Sequence, residues 1–279
     1  MELVGCPLCG FDTSGKLWSR DGAEYVRCSR CSLIYENPRF TAEELKSFYS
    51  RESYFVNKRD TSPAGYSDYF SQCTGALLRE YFDIVMCSVP GRTAVRFLDI
   101  GCGPGGLVEL ALAQGWEASG LELSSWAANI GKEKGLPIIE GTLESIRFPE
   151  SHFDVISLFD VLEHLPNPRE PVREIHRILK PGGVVIVETP NIGGLFARTV
   201  YRERSDLVKP RAHICLYTPA TARRLFAGAG FAPVKVTTFP YCRKYTPGYC
   251  KSLAFTLMGI GKAHTQATVN ESMRIVAIK

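Results

Sequence analysis

Four cysteines near the N-terminus form two pairs, with two residues between the members of each pair and 18 residues between the pairs. They are Cys6, Cys9, Cys28 and Cys31. Thiolates at this spacing bind Zn²⁺ tetrahedrally, and four protein ligands leave no coordination position for water. The spacing therefore predicts a structural zinc ion that stabilises a small fold and takes no part in chemistry. Cysteines that carry no metal are the alternative.

The other six of the ten cysteines have no ligand-like spacing, and they are Cys73, Cys87, Cys102, Cys215, Cys242 and Cys250. A cysteine acts as a nucleophile where its pKa is lowered, and nothing near Cys102 in the sequence predicts such an effect. We expect Cys102 to fill space in a tight turn and the other five to be core or surface residues.

The sequence from Asp99 to Gly106 is a second candidate site, because it is rich in glycine and follows an apolar segment. Glycines allow a backbone to approach a ligand closely, and a helix N-terminus offers free N–H groups. Gly101, Gly103 and Gly106 match the pattern G-x-G-x-x-G, and Glu122 lies 21 residues beyond Gly101, where an acid can bind ribose hydroxyls. This pattern alone fits a nicotinamide or flavin dinucleotide as well as S-adenosylmethionine.

Two histidines are candidate general bases, because imidazole exchanges protons near neutral pH. His213 is our first choice and His164 the second. A structural hydrogen-bonding role is the alternative for each of them.

Strands and helices alternate from about residue 93, an order typical of a parallel sheet wound with helices on both faces. The predicted strands are residues 94–100, 116–122, 137–140, 153–159, 184–188, 233–239 and 273–278, and the predicted helices are residues 107–114, 126–134, 170–179 and one that begins at 218 or 219 and ends near 228. We therefore predict a doubly wound α/β fold in which the glycine loop joins the first strand to the first helix.

Three segments are expected along the 279-residue chain. Residues 1–40 form a zinc-ribbon-like unit, residues 41–91 a helical connector or cover that opens with a capping box at Thr41, and residues 92–279 the α/β domain. The chain has neither a basic start followed by an apolar run nor the ~18 consecutive apolar residues of a membrane span. We predict a soluble, unsecreted, cytoplasmic protein.

Charge is unevenly distributed. Residues 1–60 carry 9 basic and 9 acidic residues, residues 61–195 carry 10 and 17, and residues 196–279 carry 14 and 3. The last segment contains the interleaved residues Arg198, Tyr201, Arg202, Arg204, Lys209, Arg211, Tyr241, Arg243, Lys244, Tyr245, Tyr249 and Lys251. Such a set suits an anionic small molecule, with a solvated surface as the alternative. The apolar run 253–260 between basic residues permits peripheral contact with a membrane surface.

Further motifs follow the glycine loop at intervals, and they are Gly141-Thr142-Leu143-Glu144, Phe153-Asp154, Asp160-Val161-Leu162-Glu163-His164-Leu165 and Leu179-Lys180-Pro181-Gly182-Gly183. Together with Asp99-Ile100-Gly101-Cys102-Gly103-Pro104-Gly105, this run closely resembles the class I S-adenosylmethionine-dependent methyltransferases. Residues 6–39 resemble the zinc-binding N-terminus of a bacterial subgroup of them. The resemblance implies a seven-stranded, Rossmann-like sheet and S-adenosylmethionine as the cofactor.

By this resemblance, Gly101, Gly103 and Gly105 form the loop beneath the methionine part of the cofactor. Asp99 organises that loop or contacts the cofactor's ammonium group. Glu122 accepts the ribose hydroxyls.

The same resemblance places Leu123 against the adenine and directs the backbone of Leu143 to the adenine edge. Phe159 and Asp160 face the methionine part. Thr142 stands where relatives often have an aspartate. Carboxylates suit a sulfonium cation and would repel the diphosphate of a dinucleotide, which also favours S-adenosylmethionine.

The leading functional hypothesis is methyl transfer to an oxygen of a small molecule in secondary metabolism or in glycan or lipid-linked sugar biosynthesis. The alternative hypothesis is an RNA methyltransferase that binds nucleic acid through its zinc unit. A third hypothesis is a binding module without catalytic activity. The zinc segment is electrically balanced, which disfavours nucleic acid as a partner. No oligomeric state is predicted.

Overall fold

The computed structural model describes residues 1–49, 77–194, 207–239 and 272–279. These residues fall into two compact units, each built from segments that are distant in sequence. The first unit comprises Met1–Phe40, Phe159–Arg173 and Val187–Ala277, and the second comprises Thr41–Leu158, Glu174–Ile186 and Ile278–Lys279.

A small antiparallel sheet lies in the first unit. Its strands are β1 (Ser14–Arg20), β2 (Ala23–Cys28), β3 (Ile34–Glu36) and β9 (Cys215–Leu216), in the order β1-β2-β3-β9. Asp21 and Gly22 join β1 to β2, and both have positive φ, 48° and 76°. Two residues in this conformation form the tight turn whose twist matches that of the flanking strands, and Asp-Gly is a preferred sequence for it.

An apolar cluster of the first unit covers one face of this sheet. Its buried residues are Ala23, Tyr25, Ile34, Ile192, Leu207, Val208 and Leu216. The cluster joins residues 23–34 to residues 192–216, so the N-terminal segment shares its core with a part of the chain that comes much later.

The second unit is built on strands that run parallel to one another. They are β4 (Arg96–Ile100), β5 (Glu117–Glu122), β6 (Ile138–Glu140) and β7 (Phe153–Phe159), of which Phe159 belongs to the first unit. Residues 153–158 are all buried, as expected for a strand covered on both faces. Ile100 of β4 pairs with Leu158 of β7 and with Leu121 of β5, so these strands end at the same edge of the sheet.

The described helices are α1 (Ala42–Tyr49), α2 (residues 77–87), α3 (Gly106–Ala113), α4 (Ser125–Glu133), α5 (Arg169–Ile178) and α6 (Pro219–Gly228). Three of the described helices, α1, α4 and α6, begin at a residue whose side chain caps the helix. At α1 the predicted capping box is present, because Glu44 accepts from the Thr41 N–H at 2.9 Å and Thr41 Oγ1 accepts from the Glu44 N–H at 3.3 Å. Thr218 caps α6 in the same way, with Thr221 as its partner.

The large sheet has seven strands in the order β10-β11-β8-β7-β4-β5-β6, where β8 is Leu179–Pro190, β10 is Val234–Phe239 and β11 is Ser272–Ile278. β10 and β11 pair antiparallel, and β4 to β7 pair in parallel. This mixed sheet with helices confirms the predicted doubly wound, Rossmann-like architecture.

Every strand predicted between residues 94 and 278 is present in the sheet, and most ends differ by one or two residues. The exception is β8, predicted as 184–188, which begins five residues earlier. The reason lies at the C-terminus, because Gly182 and Gly183 exchange backbone hydrogen bonds with Lys279 at 2.9 and 3.0 Å. The proposed division into residues 1–40, 41–91 and 92–279 stays a prediction.

Candidate functional site

The two cysteine pairs lie in loops with the same backbone geometry. The residue after the second cysteine has positive φ in both loops, 72° at Gly10 and 65° at Ser32. Its N–H donates to the carbonyl of the first cysteine, at 2.7 Å for Gly10 to Cys6 and 3.0 Å for Ser32 to Cys28. Each turn therefore holds its two sulfurs on one side, as a metal site requires.

The four sulfurs converge. Cys6 Sγ is 3.4 Å from Cys31 Sγ, Cys9 Sγ is 3.6 Å from Cys28 Sγ, and all four lie within 4.8 Å of one another. A tetrahedral zinc ion with bonds of ~2.3 Å requires sulfurs ~3.8 Å apart, whereas a disulfide requires ~2.05 Å. The predicted zinc ligands are thus brought together, and their spacing fits Zn²⁺. Burial opposes ionisation of Cys28, but backbone N–H groups of Cys31 and Arg30 lower its pKa to about 7, which favours the thiolate.

The predicted glycine loop leaves β4 in a conformation that side chains disfavour. Gly101, Gly103 and Gly105 all have positive φ, 70°, 54° and 84°. Gly105 also lies against Leu136 and Ile138, so that a Cβ at this position would approach both side chains to 2.9 Å. Glycine is therefore required here by both conformation and space.

Glu122 closes the loop from the end of β5. Its carboxylate accepts from the Gly103 N–H at 2.9 Å and from the Ser124 N–H at 2.8 Å, and its side chain is buried. A carboxylate has about four acceptor positions, so acceptor capacity remains for a ligand such as a diol. Burial raises the pKa of Glu122, while the backbone N–H groups of Ser124, Gly103 and Leu123 oppose that change.

Asp99, the last residue but one of β4, is buried at the start of this loop. The Ser157 hydroxyl donates to its Oδ1 at 2.6 Å. Burial and the nearby Glu122 charge raise the pKa of Asp99 to about 7, against the effect of Ser157. A cation beside Asp99 would favour its charged form, as the ammonium or sulfonium group of S-adenosylmethionine would. The residues present therefore fit a cationic ligand.

The loop after β6 is tied to the end of β5, because the Gly141 N–H donates to the Glu122 carbonyl at 2.9 Å. Leu143 in this loop is buried, and Leu123 beside Glu122 is half-buried. Thr142, where relatives often have a carboxylate, bonds instead with Ser145, whose Oγ accepts from the Thr142 N–H at 2.9 Å.

Cys102 lies in the glycine loop and contacts the place where Gly120 would carry a Cβ. It is buried, and burial together with the Asp99 charge raises the pKa of its thiol. Both observations agree with the space-filling role expected for Cys102. Of the other cysteines without ligand spacing, Cys87 is exposed, Cys215 is buried, and Cys73, Cys242 and Cys250 lie outside the described residues.

Phe159 is the last residue of β7, and Asp160 follows it. Both are half-buried, and Asp160 has a positive φ of 56°. Its N–H donates to the Glu188 carbonyl of β8 at 2.9 Å. This turn brings the chain directly to Glu163 and His164.

His164 and His213, the predicted bases, lie together in the first unit with ring centroids 5.0 Å apart. His164 Nδ1 is 2.8 Å from the Ala212 carbonyl, and His213 Nδ1 is 2.7 Å from the Leu207 carbonyl. Since a carbonyl only accepts, both Nδ1 atoms carry the proton and the Nε2 atoms are the basic positions of the neutral rings.

Both Nε2 atoms face the carboxylate of Glu163, to which the sequence analysis assigned no role. Glu163 Oε1 is 3.9 Å from His164 Nε2 and 4.0 Å from His213 Nε2. The Thr189 hydroxyl donates to the other oxygen at 2.8 Å. Burial and the charge of Asp160 raise the pKa of Glu163 to about 8, and burial lowers the pKa of His164 to about 4. The sequence did contain a signal for Glu163, because this acidic residue directly precedes His164, one of the two predicted bases.

The N-terminal sheet supports the backbone around His213. The Tyr25 hydroxyl of β2 donates to the His213 carbonyl at 3.2 Å, and the Glu36 N–H of β3 donates to the Ile214 carbonyl at 2.9 Å. Arg211 has a positive φ of 69° and forms an ion pair with the buried Glu36. The local backbone therefore accommodates Ala212 between Arg211 and His213.

Most of the predicted basic and aromatic set lies outside the described residues, as does the apolar run 253–260. Of the two described members, Lys209 is exposed, and Arg211 is engaged by Glu36 and by the ring of Phe40 at 5.1 Å. Within the described part of the chain, no helix is long and apolar enough to cross a membrane.

Residues 39–236 match a family model described as a methyltransferase domain. The chain is 33% identical over 131 residues to the ubiquinone biosynthesis O-methyltransferase of Alkalilimnicola ehrlichii and 35% identical over 113 residues to that of an Azoarcus species. These matches cover 44% and 38% of this chain and 47% of each relative, so the chain spans about half the length of these curated relatives.

Solved structures share the fold at low sequence identity. A S-adenosylmethionine-dependent methyltransferase from Archaeoglobus fulgidus superposes with a TM-score of 0.57 at 19% identity, covering 77% of this chain and 99% of that protein. Phosphoethanolamine N-methyltransferase 2 of Haemonchus contortus, solved with S-adenosyl-L-methionine, superposes with a TM-score of 0.58 at 18% identity, covering 88% and 61%.

Proposed function

Because the chain belongs to the class I S-adenosylmethionine-dependent methyltransferases, we propose that it transfers a methyl group from S-adenosylmethionine to an oxygen of a small molecule. The observation that carries this proposal is the glycine loop closed by Glu122, which bonds with the Gly103 N–H and retains acceptor positions for a diol. The acceptor is an anionic metabolite of secondary metabolism or of glycan or lipid-linked sugar biosynthesis, as the basic C-terminal third of the chain favours.

The bound cofactor supplies an electrophilic methyl group on a positively charged sulfur. The protein's part is to bind, orient and desolvate. Glu122 would accept hydrogen bonds from the ribose, and Gly101, Gly103 and Gly105 would hold the methionine part. Asp99, whose pKa lies near neutrality in the absence of a cation, becomes charged beside the ligand.

The acceptor hydroxyl loses its proton at the cluster formed by Glu163, His164 and His213. The neutral imidazole of His213 lies there, and its Nε2 atom can accept the proton that the hydroxyl loses. The relatives from Alkalilimnicola ehrlichii and Azoarcus are O-methyltransferases by name, which supports an oxygen acceptor.

The four cysteines hold one structural zinc ion, as their convergence within 4.8 Å supports. Reduced thiols also fit a cytoplasmic protein. The ion would stabilise the N-terminal sheet without meeting substrate.

Calorimetry tests the cofactor directly. We expect S-adenosylmethionine and S-adenosylhomocysteine to bind the purified protein and NAD to show no measurable heat, because carboxylates such as Asp99 and Asp160 would repel the diphosphate of NAD. A protein that binds NAD and does not bind S-adenosylmethionine would refute the proposal.

Replacement of His213 by alanine tests the cluster. Since the ring contacts Glu163 and His164, we expect turnover to fall roughly 100-fold or more while the affinity for S-adenosylmethionine stays within about twofold. The matched control is His152→Ala, because His152 lies beside Phe153 and outside the cluster. If His213→Ala turned over the natural acceptor at the wild-type rate, His213 would not be the group that deprotonates the acceptor.

A further inference from the structure

Glu163, His164 and His213 converge, although their side chains come from two segments that are distant in sequence. One oxygen and two nitrogens lie within 4.8 Å of one another. Yet Glu163 Oε1 is 3.9 and 4.0 Å from the two Nε2 atoms, beyond the range of a hydrogen bond. We propose that these three side chains form a binding site for a divalent transition-metal ion, separate from the four-cysteine site.

The separations fit an ion placed between the groups. Bonds of about 2.1 Å require ligand atoms ~3.0 Å apart in octahedral and ~3.4 Å apart in tetrahedral geometry. Glu163 Oε1 therefore needs to approach each Nε2 atom by only ~0.5–1 Å.

The surroundings orient each ligand in the manner found around bound metals. A metal-binding histidine almost always donates its second ring N–H to a carbonyl or carboxylate, which fixes the tautomer. Here the carbonyls of Ala212 and Leu207 take these protons at 2.8 and 2.7 Å. The Thr189 hydroxyl likewise holds the second oxygen of Glu163 at 2.8 Å.

The proposed site is buried. Glu163 is 1% exposed and His213 is 4% exposed, so water does not compensate a charge at this position. A buried carboxylate is expected to be paired with a cation or to bind a metal. A divalent ion held by the three groups would provide that partner.

The ligand set selects the class of metal. Two imidazoles and one carboxylate suit Zn²⁺, Fe²⁺, Co²⁺ and similar ions, whereas Mg²⁺ and Ca²⁺ prefer oxygen ligands alone. Three protein ligands also leave coordination positions open, unlike the four cysteines. If the proposed function holds, the ion would replace the histidines in the role proposed for them. An acceptor hydroxyl bound at an open position would have a lowered pKa and would lose its proton to water. The binding site itself does not depend on that function.

Cobalt titration of the full-length protein, first loaded with one equivalent of Zn²⁺ per chain, tests the site. With the four thiolates occupied by zinc, we expect one further equivalent of Co²⁺ to bind. It should give weak visible absorption without the intense near-ultraviolet band of cobalt bound to thiolate. A folded wild-type protein that binds no further Co²⁺, or binds it with the thiolate band, would overturn the proposal.

Two substitutions locate the ion. Glu163→Gln keeps the side-chain volume and removes the anionic ligand, and we expect Co²⁺ affinity to fall by about 100-fold or more. Thr189→Val leaves all three ligands in place and removes the bond to Glu163, and the affinity should fall by roughly 10- to 100-fold. This second variant keeps the test decisive if Glu163→Gln does not fold. His152→Ala serves as the control and should bind like wild type.

Unchanged Co²⁺ affinity in either folded variant would contradict this site. The outcome is independent of the proposed function, because binding of S-adenosylmethionine is measured separately by calorimetry and turnover is not the readout.

Discussion

Cys28→Ser is expected to abolish zinc binding and to unfold the N-terminal sheet. Cys28 ends β2, and its sulfur lies 3.6 Å from that of Cys9. Zinc bound by such sites contributes ~10–16 kcal/mol at neutral pH, as much as the whole stability of a typical domain. Metal analysis should find one zinc fewer per chain in the variant than in the wild type. The first unfolding transition of the variant in urea should shift to lower concentration.

The matched control is Cys87→Ser, which changes an exposed cysteine outside the cluster. Its zinc content and its urea midpoint should equal those of the wild type. A wild-type protein purified without chelator that contains no zinc, or a Cys28→Ser variant with an unaltered urea transition, would be incompatible with a structural metal.

Zinc loss should also affect turnover, because the sheet supports the cluster. Tyr25, in the same strand as Cys28, donates to the His213 carbonyl. The residues of the glycine loop and Glu122 belong to the other compact unit. We therefore expect Cys28→Ser to lower the rate of methyl transfer more than the affinity for S-adenosylmethionine.

The second large effect is expected from Glu122→Ala. This change removes the predicted ribose acceptor and also frees the Gly103 N–H, which Glu122 holds at 2.9 Å. A hydrogen bond to a charged group contributes ~1.5–3 kcal/mol, so the loss of two predicts affinity lower by at least about 100-fold. Calorimetry should show the same loss for S-adenosylmethionine and S-adenosylhomocysteine, because the ribose is common to both.

Glu117→Gln is the appropriate control, since Glu117 lies at the opposite end of β5, is exposed and pairs with Arg96 at 2.7 Å. It should bind the cofactor like the wild type. If Glu122→Ala remained folded and bound S-adenosylmethionine with wild-type affinity, Glu122 would have no role in binding and the proposed orientation of the cofactor would be wrong.

The parallel part of the large sheet could be predicted because its signals are local. β7 is a mainly apolar segment, and β4 is followed by a glycine loop whose three positive φ values only glycine adopts readily. The Cys-x-x-Cys loops were equally predictable, since each turn is determined by residues within six positions of one another.

The strands of the small sheet were not predicted from the sequence. The Asp21-Gly22 turn was a usable hairpin signal for β1 and β2, and it was overlooked. β9 carried no such signal, because it has only two residues and exists through its pairing with β3. The role suggested for Glu163 depends likewise on contacts with His213, which is distant in sequence.

The pairing of β3 with β9 also constrains the order in which the chain folds. The bond between Tyr25 and the His213 carbonyl spans 188 residues, and Ile34 pairs with Leu216. The cysteine loops are local and can take up metal early in synthesis, whereas the last strand of their sheet leaves the ribosome only after most of the chain has been made. During translation the edge of β3 is therefore exposed, and chaperones that cover unpaired strands should be found on nascent chains until residue 216 emerges.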